Sequence, residues 1–142
     1  MYLYVLVNHQ GMTYVGVSRH PTKRLVAHNS KAKSLARHYT NRHRPWKIAA
    51  VVQGFTTKRQ ALRAEYMVKH QPVSASRGSG ACPSAIVARM ALVARTCGRL
   101  LANDKAFDRV DRVLVVIWDQ QQYTAVDQLA GSTHNTCIVC KG

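Results

Sequence analysis

Carboxylates are scarce in this sequence. Its 142 residues hold 21 Lys and Arg but only 6 Asp and Glu, a formal net charge of +15. Glu65 is the only acid before Asp104. Residues 1–70 thus set 13 Lys and Arg against one carboxylate, a local charge of +12. Basic charge kept for solubility alone would repel itself at this density and cost stability, so the excess points to a polyanionic partner. The abundant polyanions are nucleic acids and acidic membranes. Long apolar runs are missing too: none approaches the roughly 20 residues that span a bilayer. Met1–Val7 is too short for a signal h-region and lacks a basic flank. Four cysteines in this length do not make a disulfide framework. No internal repeat is visible. A soluble intracellular protein is expected.

Apolar residues make up 46% of the chain, enough for a packed core and too many for wholesale disorder. Tyr2–Val7 and Met12–Val17 are β-prone runs around Asn8-His9-Gln10-Gly11, the pattern of a hairpin. Alternation puts Tyr2, Tyr4 and Leu6 on one strand face, and Tyr14 and Gly16 on one face of the return. Pro21 suits a first helical turn, so a helix is predicted from Pro21 to about His28, with Arg24 and His28 on one face. Ser30 to Pro45 reads as a basic loop with one helical turn. Trp46–Gln53 is a third β-prone run closed by Gly54. Thr57 and Gln60 form a capping-box pattern ahead of a helix over Lys58–His70, which Gln71-Pro72 ends. Val73–Pro83 is the best linker. A helix over residues 84–102, a buried strand over 112–118 and a flexible tail follow. The expected fold is α/β: a small mixed or antiparallel three-stranded sheet flanked by helices in residues 1–72. A helical C-terminal extension with one further strand occupies residues 73–142.

A single acid among cations has two explanations. One is an ion pair with Lys58, Arg63 or Lys69 on its own helix. The other is a metal site. A surface built for phosphates excludes carboxylates, which repel the ligand, unless one must hold a divalent cation beside the phosphate. Mg²⁺ takes one or two carboxylates, several waters and phosphate oxygens. Glu65 is the candidate.

Four segments in order resemble the GIY-YIG nuclease family. Tyr14-Val15-Gly16 is similar to the second half of its motif, and Leu3-Tyr4-Val5-Leu6 to a degenerate first half. Lys23-Arg24-Leu25-Val26-Ala27-His28-Asn29 resembles the family's Arg-x-x-x-His-Asn helix. Ala61-Leu62-Arg63-Ala64-Glu65-Tyr66 resembles the segment with its metal-binding Glu. The subgroup most alike is the catalytic subunits of eukaryotic Slx structure-specific endonucleases. Pro45-Trp46-Lys47-Ile48 and Val52-Gln53-Gly54-Phe55 resemble its Pro-Trp and Gly-Phe signatures, and Gln71-Pro72, Arg89–Leu101 and Arg112–Trp118 its continuation.

The resemblance implies a GIY-YIG nuclease core and a metal-dependent endonuclease that hydrolyses branched DNA, such as flaps, forks or junctions, in repair or recombination. Its catalytic residues would be Tyr4, Tyr14, Arg24, His28 and Glu65. Glu65 would hold one Mg²⁺ or Mn²⁺, and Arg24, a permanent fork-shaped donor, would bind a phosphate oxygen. Tyr4 or Tyr14 would take the proton from the attacking water. A free phenol titrates near pH 10, and a metal with the +12 surroundings would lower it. His28 would order Tyr4 or the phosphate, or relay a proton. Lys23, Lys31, Lys33, Arg37, Arg42, Arg44, Lys58 and Arg59 would grip the DNA backbone, giving affinity without sequence specificity. Tyr39 and His38 would stack on an unpaired base, or else belong to a solvated loop. Trp46 and Phe55 read as core.

Two departures from the family pattern stand out. Tyr2-Leu3-Tyr4 replaces Gly-Ile-Tyr, and both Tyr2 and Tyr4 keep an acceptable spacing to Tyr14. The Slx subunit ends in a zinc-binding RING-like domain that needs about eight ligands, against Cys82, Cys97, Cys137, Cys140 and His134 here. That domain is therefore expected to be missing or eroded, which calls its docking to a scaffold subunit into question. Cys137-x-x-Cys140 with His134 leaves two readings, a structural zinc or reduced thiols on a tail. Cys97 falls on the apolar face of its helix and reads as core. A nuclear location follows from the Slx likeness, and no membrane is expected. The rival readings are a non-catalytic nucleic-acid-binding protein and a scaffold-bound adaptor.

Overall fold

A computed structural model describes residues 1–30, 38–71, 85–103, 113–118 and 136–140. Tyr2–Asn8 (β1) and Thr13–Ser18 (β2) form the expected antiparallel hairpin, with Tyr4 opposite Gly16 and Leu6 opposite Tyr14. Asn8 closes it: its Oδ1 accepts the backbone N–H of Gln10 and Met12 at 3.0 and 2.9 Å. Gly11 takes φ 75°, a conformation that costs glycine little. Helix α1 spans Pro21–Asn29, starting on the proline, and α2 is the short His38–Arg42.

Trp46–Gln53 (β3) pairs antiparallel with β1 on the side away from β2. The capping box is formed. Thr57 accepts from the Gln60 backbone at 3.3 Å, and Gln60 Oε1 accepts from the Thr57 backbone at 3.1 Å. Two orphan donors at the helix start are thereby satisfied, and α3 runs Lys58–His70. Helix α4 is Ala85–Asn103.

The three expected strands belong to a sheet of five, in the order β2-β1-β3-β4-β5. Val113–Ile117 (β4) pairs antiparallel with β3, and Thr136–Cys140 (β5) pairs parallel with β4. Strand β5 corrects the flexible-tail expectation at its last residues. It also places Cys137 and Cys140 in extended backbone rather than in a metal-binding turn. Cys82, His134 and the expected linker lie outside the described residues. Among the described residues no three His, Cys, Asp or Glu come together as a metal cluster, and no helix is long and apolar enough to cross a membrane.

Alternation along β1 sorts two layers. Leu3 and Val5 pack with Ala61, Ala64 and Val68 of α3 and with Met90, Val93 and Cys97 of α4. Tyr4 and Leu6 face the other way, against Trp46 and the half-buried Tyr14, Leu25 and Ile48. Each fully buried aliphatic side chain of the first layer stabilises by about 1.5–3 kcal/mol. That layer fixes where α3 lies, and with it Glu65.

Candidate active site

The second layer gathers Tyr4, Tyr14 and His28, while Glu65 comes from α3, which packs on the first. Tyr4 is 1% exposed, and its phenol lies across β2 at Gly16. A Cβ there would sit 2.6 Å from both Cζ and Oη of Tyr4. The glycine is needed for this close approach and not for an unusual φ. The register distinguishes the two tyrosines: Tyr4 faces a glycine, whereas Tyr2 faces Ser18. Tyr4 Oη is 3.0 Å from Nε2 of His28, and His28 Nδ1 is 3.0 Å from Thr40 Oγ1. Both ring nitrogens are thus engaged in a buried chain. Tyr14 is half-buried, with ring centroids 6.3 Å from Tyr4 and 4.8 Å from His28.

Burial pushes the Tyr4 phenol up to about 12. Tyr14 and Glu65 add to the rise, while a bond and positive charge from Arg24 oppose it. The expected lowering is therefore not produced by the chain's own groups at Tyr4, because desolvation of the phenolate outweighs the guanidinium. Arg24 of α1 and Glu65 of α3 are therefore both within electrostatic reach of this phenol. The Glu65 side chain is 17% exposed, and its Oε1 accepts from Lys69 Nζ at 2.6 Å. Lys69 also stands 5.6 Å over the Tyr14 ring. The ion pair expected as the ordinary explanation of Glu65 exists, and its ammonium stands over the Tyr14 ring.

The scaffold behind these groups is specific. Asn29, at the end of α1, imitates a strand neighbour of Trp46. Its Oδ1 accepts from Trp46 N at 2.8 Å, and its Nδ2 donates to Trp46 O at 3.0 Å. Trp46 is core as expected, at 2% exposure, and its Nε1 donates to Thr40 O at 2.9 Å. Arg44 departs from its expectation. Its guanidinium donates to the carbonyls of Ser30 at 2.7 Å and Asn41 at 3.1 Å, so it braces the segment before β3 instead of facing a phosphate. Lys23, Arg42, Lys58 and Arg59 are exposed. Lys31, Lys33, Arg37 and the His38 side chain lie outside the described residues.

Thr40 is a site neighbour that the sequence does not mark, and Lys69 is marked there only as an ion-pair partner of Glu65. Thr40 sits in a basic stretch with no pattern to mark it. The spacing of Lys69 four residues after Glu65 was the available signal.

A single carboxylate, partly open and already seated against a cation, fits an ion that takes few protein ligands. It does not fit zinc, which needs three or four nitrogen or sulfur donors.

A family model described as the GIY-YIG catalytic domain matches residues 1–74. The chain belongs to the GIY-YIG family. In this GIY-YIG chain the segments that resemble the two motif halves lie on the antiparallel β1 and β2, with Tyr4 opposite Gly16. Its relatives include the structure-specific endonuclease subunit slx1 of Schizosaccharomyces japonicus, 40% identical over 47% of this chain and 25% of that protein. The subunit of the same name in Aspergillus terreus is 34% identical over 46% of this chain and 17% of that protein. A homolog in Leishmania major is 39% identical, covering 46% of this chain and 9% of its own. The GIY-YIG chain thus matches a quarter or less of the length of these relatives.

Proposed function

We propose that this chain is a divalent-metal-dependent endonuclease that hydrolyses phosphodiester bonds in branched DNA. The observation that carries the proposal is one convergence. Tyr4, Tyr14 and the buried His28 meet on one face of the hairpin, within electrostatic reach of Arg24 and of Glu65, the only carboxylate of the basic half.

Phosphodiester hydrolysis needs stabilised charge on the phosphate, an aligned nucleophile and a protonated leaving group. Arg24 neutralises a non-bridging phosphate oxygen. Glu65, released from Lys69, is the group that would hold Mg²⁺ or Mn²⁺. Such an ion supplies further charge stabilisation and a more acidic water. Tyr14, half-buried where Tyr4 is sealed, is the side chain that would take the water proton, a role that requires it as the phenolate. Tyr4 stays protonated at neutral pH and, with His28, fixes the wall against which Tyr14 and the phosphate are set. The exposed Lys23, Arg42, Lys58 and Arg59 extend a cationic track for the backbone. The slx1 likeness adds a scaffold subunit as partner, repair and recombination as the setting, and the nucleus as the location.

The test is direct. The chain is incubated with labelled flap, fork, junction and linear duplex DNA in Mg²⁺, Mn²⁺ or EDTA. Cleavage of branched substrates with metal is expected. A Glu65→Ala variant should bind DNA at least as well as wild type and cut nothing. Binding without cleavage of any substrate by the wild type, in either metal, would instead support the non-catalytic rival.

A further inference from the structure

Tyr39 on α2 is 46% exposed, yet its ring is not loose. Its centroid lies 6.3 Å from Trp46 and 5.1 Å from His43. Trp46 is itself immobilised by Thr40 and Asn29 and stands 6.5 Å from Tyr14. The rings form a file from the candidate active site to solvent: Tyr14, Trp46, Tyr39, His43. The two intervening spacings limit the Tyr14–Tyr39 separation to no more than about 13 Å. At about 3.4 Å rise per stacked base, a few nucleotides cover that distance.

We propose that Tyr39, braced by Trp46 and His43, is a stacking site for an unpaired nucleobase near the cleaved phosphate. The inference rests on the nuclease reading for its ligand. The local charge of +12 draws a polyanion to this half of the chain. Phosphate contacts, however, hold paired and unpaired strands alike. An aromatic face separates them. A base inside a duplex has both faces covered, whereas an unpaired base can stack, whatever its sequence. A ring already held by neighbours loses little freedom when a base lands on it. Tyr39 thereby supplies what the cationic track lacks, a reason to prefer a strand that leaves the helix.

The full chain in EDTA is titrated into a flap carrying 2-aminopurine in its single-stranded arm beside the branch, and into a linear duplex of equal length. Wild type should quench the probe on binding. Tyr39→Leu keeps an apolar contact with Trp46 but removes the stacking face. It should lose the quench and bind the flap roughly five- to thirtyfold more weakly, with duplex affinity changed less than about twofold. Tyr39→Trp should restore both. A Tyr39→Leu chain that quenches and binds the flap like wild type, or that loses flap and duplex affinity equally while keeping its native circular dichroism, overturns the proposal. Because no metal is present, the result is independent of cleavage. Quenching without cleavage in metal would sink the nuclease reading alone, and cleavage without a Tyr39-dependent quench would sink the stacking site alone.

Discussion

Gly16→Ala probes how tightly the hairpin is built around Tyr4. The new Cβ would lie 2.6 Å from Cζ and Oη of Tyr4 and 3.0 Å from Cε1 of Tyr14. Carbon contacts settle at about 3.5–4.0 Å, so the Tyr4 ring must withdraw by about 1 Å. It has nowhere to go: the side chain is 1% exposed and its Oη is 3.0 Å from His28 Nε2. Overpacking of this kind costs about 1–3 kcal/mol. Loss of the buried bond to His28 adds about 1–3 kcal/mol. A total near 2–6 kcal/mol, at roughly 3–4 °C per kcal/mol for a chain of this size, lowers Tm by about 6–24 °C. Thermal and urea unfolding read the stability, and metal-dependent flap cleavage reads the site. A Gly16→Ala, Tyr4→Leu pair separates causes. Removing the phenol gives the methyl room, so the two changes should couple favourably by about 1–3 kcal/mol. A Gly16→Ala penalty that is unchanged in the Tyr4→Leu background would refute the close approach as its origin.

Two further perturbations test the surroundings. Lys69→Met removes the ammonium seated on Glu65. It should tighten Mn²⁺ binding about two- to fivefold, as loss of a partly exposed ion pair allows. Electron paramagnetic resonance of free Mn²⁺ in the absence of DNA checks this, and equal or weaker binding would mean that Lys69 does not compete. At alkaline pH the unfolded Tyr4 ionises near 10 while burial holds the native phenol up to about 12. The native state then keeps a proton that the unfolded state has lost, so stability falls through this window as pH rises. Buried Cys97, also pushed up to about 12 by desolvation, adds to the fall from about pH 9. Tyr4→Phe should flatten the decline above pH 10 in urea titrations, and an unchanged slope would contradict the burial of that phenol.

Local signals were legible in the sequence. The Asn8–Gly11 turn, the Pro21 helix start and the Thr57–Gln60 box each act within four residues, and the strands and helices they bound lie where expected. The choice between Tyr2 and Tyr4 was not legible, because alternation puts both on one face. Only the pairing register sets Tyr4 against a glycine. Strand β5 was hidden because 18 residues separate it from its partner β4, and parallel pairing leaves no turn to announce it. Thr40 and Arg44 are defined by bonds to atoms 12 and 14 residues away. Nothing in the composition of a basic loop distinguishes a cation that braces carbonyls from one that meets a phosphate.

The β3–β4 pairing ties the two halves of the chain together. Ala50 to Gln53 match Ile117 to Leu114, so the middle strand of the hairpin layer is completed from beyond residue 112. A fragment ending at residue 74 would leave that row of amides and carbonyls bare, next to a run of Val and Ala. Raw edges of this kind recruit other chains. In this protein β4, from the C-terminal half, covers that edge of β3.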